Sequence, residues 1–293
     1  MSRNETAVSS SRRFRFVQFE FPWPLGPDPG RYSIREHLGE GIRWILVLRL
    51  HGAPERRLLR RRRSARDVAP GPAPAPVVTS RATLIDTVAM DGRAAAEDWL
   101  RSADLQALAE DAVARLNRVL HAQRVATADP AMREVALSRA LVVRIGYGDG
   151  EHVADGRWER ASELSHAAEP GVLRRVSLRP QERLAAVLAG RDPVLACEEL
   201  ALRARSDLDA GRWREAALQL GVALDAALAE LEPWREQAAL GPRLDELAAH
   251  REQVQAAAAT ALQGGLEEGQ IEVVRFVLAR IEAALRARTA GGV

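Results

Sequence analysis

Residues 192–233 read DPVLACEELALRARSDLDAGRWREAALQLGVALDAALAELEP, and this stretch decides the architecture of the C-terminal part of the chain. Leu200, Ala204 and Leu208 fall on one helical stripe, and Leu220, Ala223, Leu224, Ala227 and Leu231 on a second. Between the stripes lies Asp209-Ala210-Gly211-Arg212. Gly211 can take the left-handed conformation that ends a helix, because it has no Cβ to clash there. The pattern predicts two antiparallel helices joined by a short turn.

Outward from this hairpin, the apolar pattern stays helical. Residues 181–189 predict a helix before it, and Arg243–Leu262 and Leu266–Arg288 two long helices after it, separated by Gly264-Gly265. In the last of these, Ile271, Val274, Leu278, Ile281 and Leu285 alternate steps of three and four, which places them on one seam. Val273, Phe276 and Val277 widen that seam, so it is expected to pack on the preceding helices; a homodimer through Ile271–Leu285 is the alternative.

The hairpin resembles a tetratricopeptide repeat. Gly211, Trp213, Ala216, Leu220, Ala223 and Leu224 match the order of glycine, aromatic, small and large residues in the second helix of that repeat. Leu200 and Ala204 fit the first helix, while Asp207 stands where an aromatic is usual. A weaker echo lies at Gly269, Ile271, Val274, Leu278 and Ile281. The likeness covers one repeat, whereas such arrays bury a continuous core only with about three. It implies a helical surface that binds a protein or peptide, with Trp213 and Trp234 as candidate anchors.

The N-terminal half reads differently. Residues 1–11 are polar and expected to be disordered. Arg13–Phe21 (RFRFVQFEF) alternates aromatic and polar residues as a strand does, with apolar groups on both faces toward its end. Pro22-Trp23-Pro24 stops it, and the prolines and glycines of Leu25–Gly30 require turns. Trp23 either stacks on a ligand or folds over one end of the sheet. Arg31–Arg35 and Ile42–Leu50 predict further strands, and residues 77–88 an extended segment. Gly92–Ala128 predicts helix, with Asp104 as an N-cap and Leu105, Leu108, Ala112, Leu116, Val119 and Leu120 on one face.

Ala140–Ile145 predicts a short buried strand running into Gly146-Tyr147-Gly148-Asp149-Gly150. A glycine-rich turn after a strand is where phosphates bind in dinucleotide folds. The spacing GxGxG lacks the dinucleotide fingerprint and the Lys-Ser/Thr of a P-loop, and Asp149 and Glu151 repel anions. Gly146, Gly148 and Gly150 are therefore weak candidates for a cofactor phosphate, and a tight turn is the expectation. No cofactor is otherwise implied. Asp155 is expected to cap a helix over Arg157–Leu164, and 172–180 to be a connector or strand end.

Two further features bear on partners. The chain contains no Lys, so its 42 basic residues are all Arg, for which a high-GC bacterial genome is the simplest explanation. Their distribution is uneven: residues 1–66 carry a net charge of about +9 and the remainder about −7. Arg56, Arg57, Arg60, Arg61, Arg62, Arg63 and Arg66 form the cluster that could contact nucleic acid or an anionic surface, ahead of a Pro/Ala linker that ends at residue 76. The cluster holds no aromatic to stack on bases. The segments FEFPWPLGPDPGRY and GYGDGEHVADGRW resemble proteins of high-GC actinobacteria, a likeness that implies no activity.

Catalytic patterns are thin: there is no GxSxG elbow and no HExxH, and the six histidines are scattered. His121 follows an apolar helix face and reads as structural. Glu151, His152 and Asp155 form the one local carboxylate–imidazole cluster. Cys197 is the single cysteine, has no adjacent base and is expected to pack at the start of the hairpin. With no apolar run near 18 residues and no apolar core at the N-terminus, a cytoplasmic setting is expected.

The sequence thus predicts an α+β protein. An α+β domain at 12–170, interrupted by the basic segment and linker at 55–76, precedes a helical domain at 171–293. The expected function is a non-catalytic, cytoplasmic protein-interaction module. Nucleic-acid or anionic-surface binding through Arg56–Arg66 is one alternative, and a phosphate-ligand enzyme using Gly146–Gly150 another.

Overall fold

A computed structural model describes residues 12–36, 39–52, 78–164, 178–237 and 239–290. The chain divides into two compact units, Met1–Ala167 and Ala168–Val293. The expected tail at 1–11 and the linker at 55–76 lie outside the described residues.

The first unit is built on a six-stranded antiparallel sheet. Its strands are β1 (Phe14–Phe21), β2 (Gly30–Ile34), β3 (Trp44–His51), β4 (Thr79–Asp86), β5 (Val142–Gly148) and β6 (Arg160–Glu163), in the order β2-β3-β4-β1-β5-β6. Strand β1 is central because it is apolar on both faces. Val17, Phe19 and Phe21 join the larger core, while Phe16 packs with Val47, Ile85, Val153 and Ala154 on the opposite side. Its register, Phe16 opposite Ile85 on β4 and Gly146 on β5, keeps these residues on one face. Gln18 on that face is fully buried, and its Nε2 donates to Thr83 Oγ1 at 2.9 Å.

The other face is covered by helices α1 (Gly92–Ser102) and α2 (Leu105–Thr127). Asp104 caps α2 as its position predicts, accepting from the Ala107 N–H at 3.0 Å. Leu116 and Leu120 are buried at the middle of the α2 stripe, and Ala128, in the left-handed conformation at φ 52°, ends it before Asp129-Pro130.

Two expectations fail in this unit, for one reason. Gly146 and Gly148 are not in a turn: they lie inside β5, and neither has a positive φ. Residues 157–164 are not a helix: they hold β6, which pairs with β5, and Asp155 caps nothing. A Cβ on Gly146 would fall on the Arg160 carbonyl and 2.8 Å from Ala161 Cα. A Cβ on Gly148 would stand 2.6 Å from Val153 Cγ1. The glycines therefore admit β6 and the 3-10 turn Gly150–Asp155 against the sheet. That pairing overrides the helical propensity of residues 157–164. Glu159 N–H donates to the Tyr147 carbonyl at 3.1 Å, and Glu159 also pairs with Arg13.

The second unit is helical throughout its described residues: α3 (Leu178–Leu188), α4 (Ala196–Asp209), α5 (Trp213–Glu230), α6 (Gly241–Ala249), α7 (Arg251–Gln263) and α8 (Glu268–Ala290). Residues 178–180 of the expected connector thus belong to α3. Gly211, at φ 71°, makes the turn between α4 and α5. Helix α5 is the hub, packed against α4 and α7 and sharing the core with α8. Leu220, Ala223, Leu224, Ala227 and Leu231 are all fully buried.

The single helix expected over 243–262 is broken at His250 into α6 and α7. The His250 Nδ1 lies 2.8 Å from the Glu246 carbonyl, so the ring donates to an acceptor that a continuous helix would give to the His250 N–H. On α8, Ile271, Val274, Leu278 and Ile281 are buried and Leu285 packs on the same core.

Gly146→Ala is expected to destabilise the first unit by about 1–3 kcal/mol through overpacking against backbone. Gly150→Ala, at a positive φ with open space around it, is expected to cost about 1 kcal/mol. Urea unfolding checks both; a G146A midpoint equal to that of the wild type would contradict the close approach of β6.

Candidate functional site

The hairpin is closed at its open end by carboxylates. Helix α4 begins with orphan N–H groups, as every helix does. Glu230, at the end of α5, accepts from the Ala196 N–H at 3.1 Å and the Cys197 N–H at 2.9 Å. Glu198 Oε2 accepts from the Leu195 N–H at 3.1 Å. Both negative groups sit at the positive end of the α4 dipole. Burial raises the Glu230 pKa, but the N–H donors of Cys197 and Ala196 outweigh it, so the carboxyl is held below the ordinary glutamate value.

A buried ionic cluster fixes the same end. Arg288, 3% exposed on the last turns of α8, donates to Asp192 Oδ1 at 2.9 Å and to Glu198 Oε1 at 3.2 Å. Arg183 of α3 donates to the same two acids, to Asp192 Oδ2 at 3.1 Å and to Glu198 Oε1 at 2.5 Å. The Arg288 guanidinium also lies 5.2 Å from the Trp234 ring centroid. Burial raises the Asp192 pKa, and the guanidiniums of Arg288 and Arg183 more than reverse this, so Asp192 titrates below its usual range. The cluster joins α3, the start of α4 and the end of α8.

This rigid frame exposes one face of α5. Leu218, Val222, Ala226 and Ala229 follow one another at steps of four, four and three; Val222, 58% exposed, and Ala229 face solvent, while Leu218 and Ala226 are half-buried against the core. Arg214 Nε donates to the Ala261 carbonyl at 2.8 Å and brings the end of α7 alongside, where Leu262 is 71% exposed. Asp225 of α5 pairs with Arg251 and Gln255 of α7, giving the strip a polar rim.

The residues singled out from sequence fall as follows. Trp213 and Trp234 are both half-buried, packed on the helical core, with Arg275 6.0 Å from the first ring and Arg288 over the second. They fill the unit and do not project from it. The Ile271–Leu285 seam is covered by the unit's own helices. Gly146 and Gly148 are strand residues, and Gly150 opens the 3-10 turn with free space around it. Arg56, Arg57, Arg60, Arg61, Arg62, Arg63 and Arg66 lie outside the described residues.

Glu151 pairs with Arg31 at 2.6 Å and Asp155 with Arg49 at 3.4 Å, so both acids beside His152 tie the turn to the sheet. Among the described residues no three His, Cys, Asp or Glu side chains are grouped to hold a metal. His121 is half-buried, and its Nδ1 has no hydrogen-bond partner among the described residues. Cys197 is buried; burial first and the neighbouring Glu230 second push its thiol up to about 12. No described helix is long and apolar enough to cross a membrane.

Sequence reasoning missed the Arg288 cluster, although a signal was present. Arg288 continues the seam of Leu278, Ile281 and Leu285 by a further step of three. An arginine at a buried seam position requires buried acids, and Asp192 and Glu198 supply them. Comparison of the chain with protein-family models, with curated proteins and with solved structures finds no match.

Arg288→Ala leaves the buried Asp192 and Glu198 with Arg183 as their remaining partner and is expected to cost about 3 kcal/mol in chemical denaturation. Glu230→Ala is expected to cost about 0.5–2 kcal/mol at neutral pH. The folded pKa of Glu230 is depressed, so its contribution is complete above the unfolded carboxylate range and fades as pH falls through the folded value. The gap between E230A and the wild type should therefore shrink below about pH 4; a gap independent of pH would rule out the carboxylate cap.

Proposed function

We propose that the protein works by binding, and that the helical unit takes an amphipathic helix from a protein partner along the outer face of α5. The observation that carries this reading is the pair Val222, 58% exposed, and Leu262, 71% exposed, on a strip that continues through the exposed Ala229 and the half-buried Leu218 and Ala226. Contiguous exposed apolar surface with a polar rim marks an interaction site. The strip spans 11 residue steps, roughly 16 Å, which matches about three turns of a partner helix with anchors at helical spacing. Val222 and Leu262 are the contact residues of this reading, in place of Trp213 and Trp234, which pack on the unit's own core.

The tetratricopeptide-like reading of the hairpin belongs to the same proposal. Ala204, Ala216 and Ala223 are fully buried, which supports close helix packing of that kind. The proposal sets the partner in the cytoplasm, where the single thiol of Cys197 stays reduced.

A photo-reactive residue at position 222 tests the reading in the native host. The expected product is a cross-link to an amphipathic segment of a different protein, lost in a V222E/L262E variant. Both side chains are exposed, so these substitutions should change stability by about 0.5 kcal/mol or less each. A cross-link to a second copy of the chain would replace the proposed partner. Labelling no stronger than from the exposed control position Leu188 would remove the proposal.

A further inference from the structure

The first unit contains a cleft of about 620 Å³ between the turn Trp23–Gly26 and the segment 129–139. We propose that this cleft binds a small planar anion, an aromatic ring carrying a carboxylate or phosphate. The volume lies within the range of small-molecule sites.

Its walls are held in place before any ligand arrives. The Leu25 N–H donates to Ser80 Oγ of β4 at 3.1 Å, which fixes the turn to the sheet. Asn117 of α2 brackets Val135 on the far wall, donating to its carbonyl at 2.9 Å and accepting from its N–H at 2.8 Å. Gly26, at φ 113°, has no room for a side chain: a Cβ there would lie 2.7 Å from Met132 Cε. The two walls thus meet in van der Waals contact at the base of the cleft.

The chemistry of the lining selects the ligand. Trp23 is half-buried, with its ring centroid 5.5 Å from that of Phe21, and it is one of the residues that line the cleft. An indole held in this way offers a flat apolar surface to another ring. Its Nε1 has no hydrogen-bond partner among the described residues. Arg133 and Arg139 also line the cleft, are exposed, and make no side-chain hydrogen bond or ion pair among the described residues.

Other described arginines of this unit also lack an acid partner, but Arg133 and Arg139 are the two that line this one concavity. The cleft also carries two acids, and both are engaged. Asp129 Oδ1 accepts from the Ala131 N–H at 2.9 Å, and Glu134 already has a partner. The two acids keep their negative charge but are held by their own partners, whereas the two guanidiniums are free to turn to a ligand; with Trp23 beside them they suit a flat anion held by planar cations.

Calorimetric titration and ligand-observed NMR on the full chain, with adenosine 5′-monophosphate and indole-3-carboxylate as probes and adenosine and indole as uncharged controls, test the proposal. At least one anion should bind about tenfold or more tightly than its uncharged control, and the better probe separates a phosphate from a carboxylate source. Arg133→Glu and Arg139→Glu should each weaken that binding by about tenfold, the loss of one charge-assisted hydrogen bond, with an unchanged unfolding midpoint. Trp23→Leu should weaken it as well. Absence of binding by either anion at millimolar concentration would overturn the proposal, as would binding that survives R133E and R139E undiminished.

Discussion

The pairing of Arg288 with Asp192 and Glu198 is the constraint on which the helical unit depends. The core of that unit is rich in alanine, which lets helices approach closely but gives each contact little apolar area. Such a core leaves helix register loosely specified. A guanidinium that is 3% exposed changes this, because a buried charge is tolerable only in the arrangement that pairs it. Arg183 meets the same two acids, so α3, the start of α4 and the end of α8 share one geometry. Trp234 lies against the Arg288 guanidinium and packs on the same core.

That frame explains why α5 can be buried on one side and open on the other. Its inner residues are fixed by α4, α7 and α8, while Val222 remains in solvent without loss of order in the helix. The two binding proposals use different physics in different units. One is an extended apolar strip on a helix, and the other is a small cleft with an aromatic wall and two unpaired cations.

Much of this architecture is legible in the sequence where local pattern and tertiary packing agree. Phe16, Phe19 and Phe21 announce a strand buried on both faces, Asp104 a helix start, Gly211 a helical turn, and Ile271–Leu285 an internal seam. The failures fall where a distant contact decides. Residues 157–164 have helical propensity, but Gly146 opens a place for them as an edge strand. His250 breaks a helix through its own ring, which no apolar pattern records. Trp23 was readable as a residue over the end of the sheet or against a ligand. Its cleft depends on Asn117 and Val135, about a hundred residues away in sequence, and no local signal connects them.

Native-state hydrogen exchange on the wild-type chain tests the central constraint most directly. Helix ends ordinarily fray, so their amides exchange far faster than the core. If the Arg288 cluster locks the end of α8, the amides of Leu285–Arg288 will exchange only through unfolding of the whole helical unit, with the same free energy as Leu220 and Leu224 at the centre of α5. Exchange at 285–288 by local opening, orders of magnitude faster than at those core positions, would contradict it.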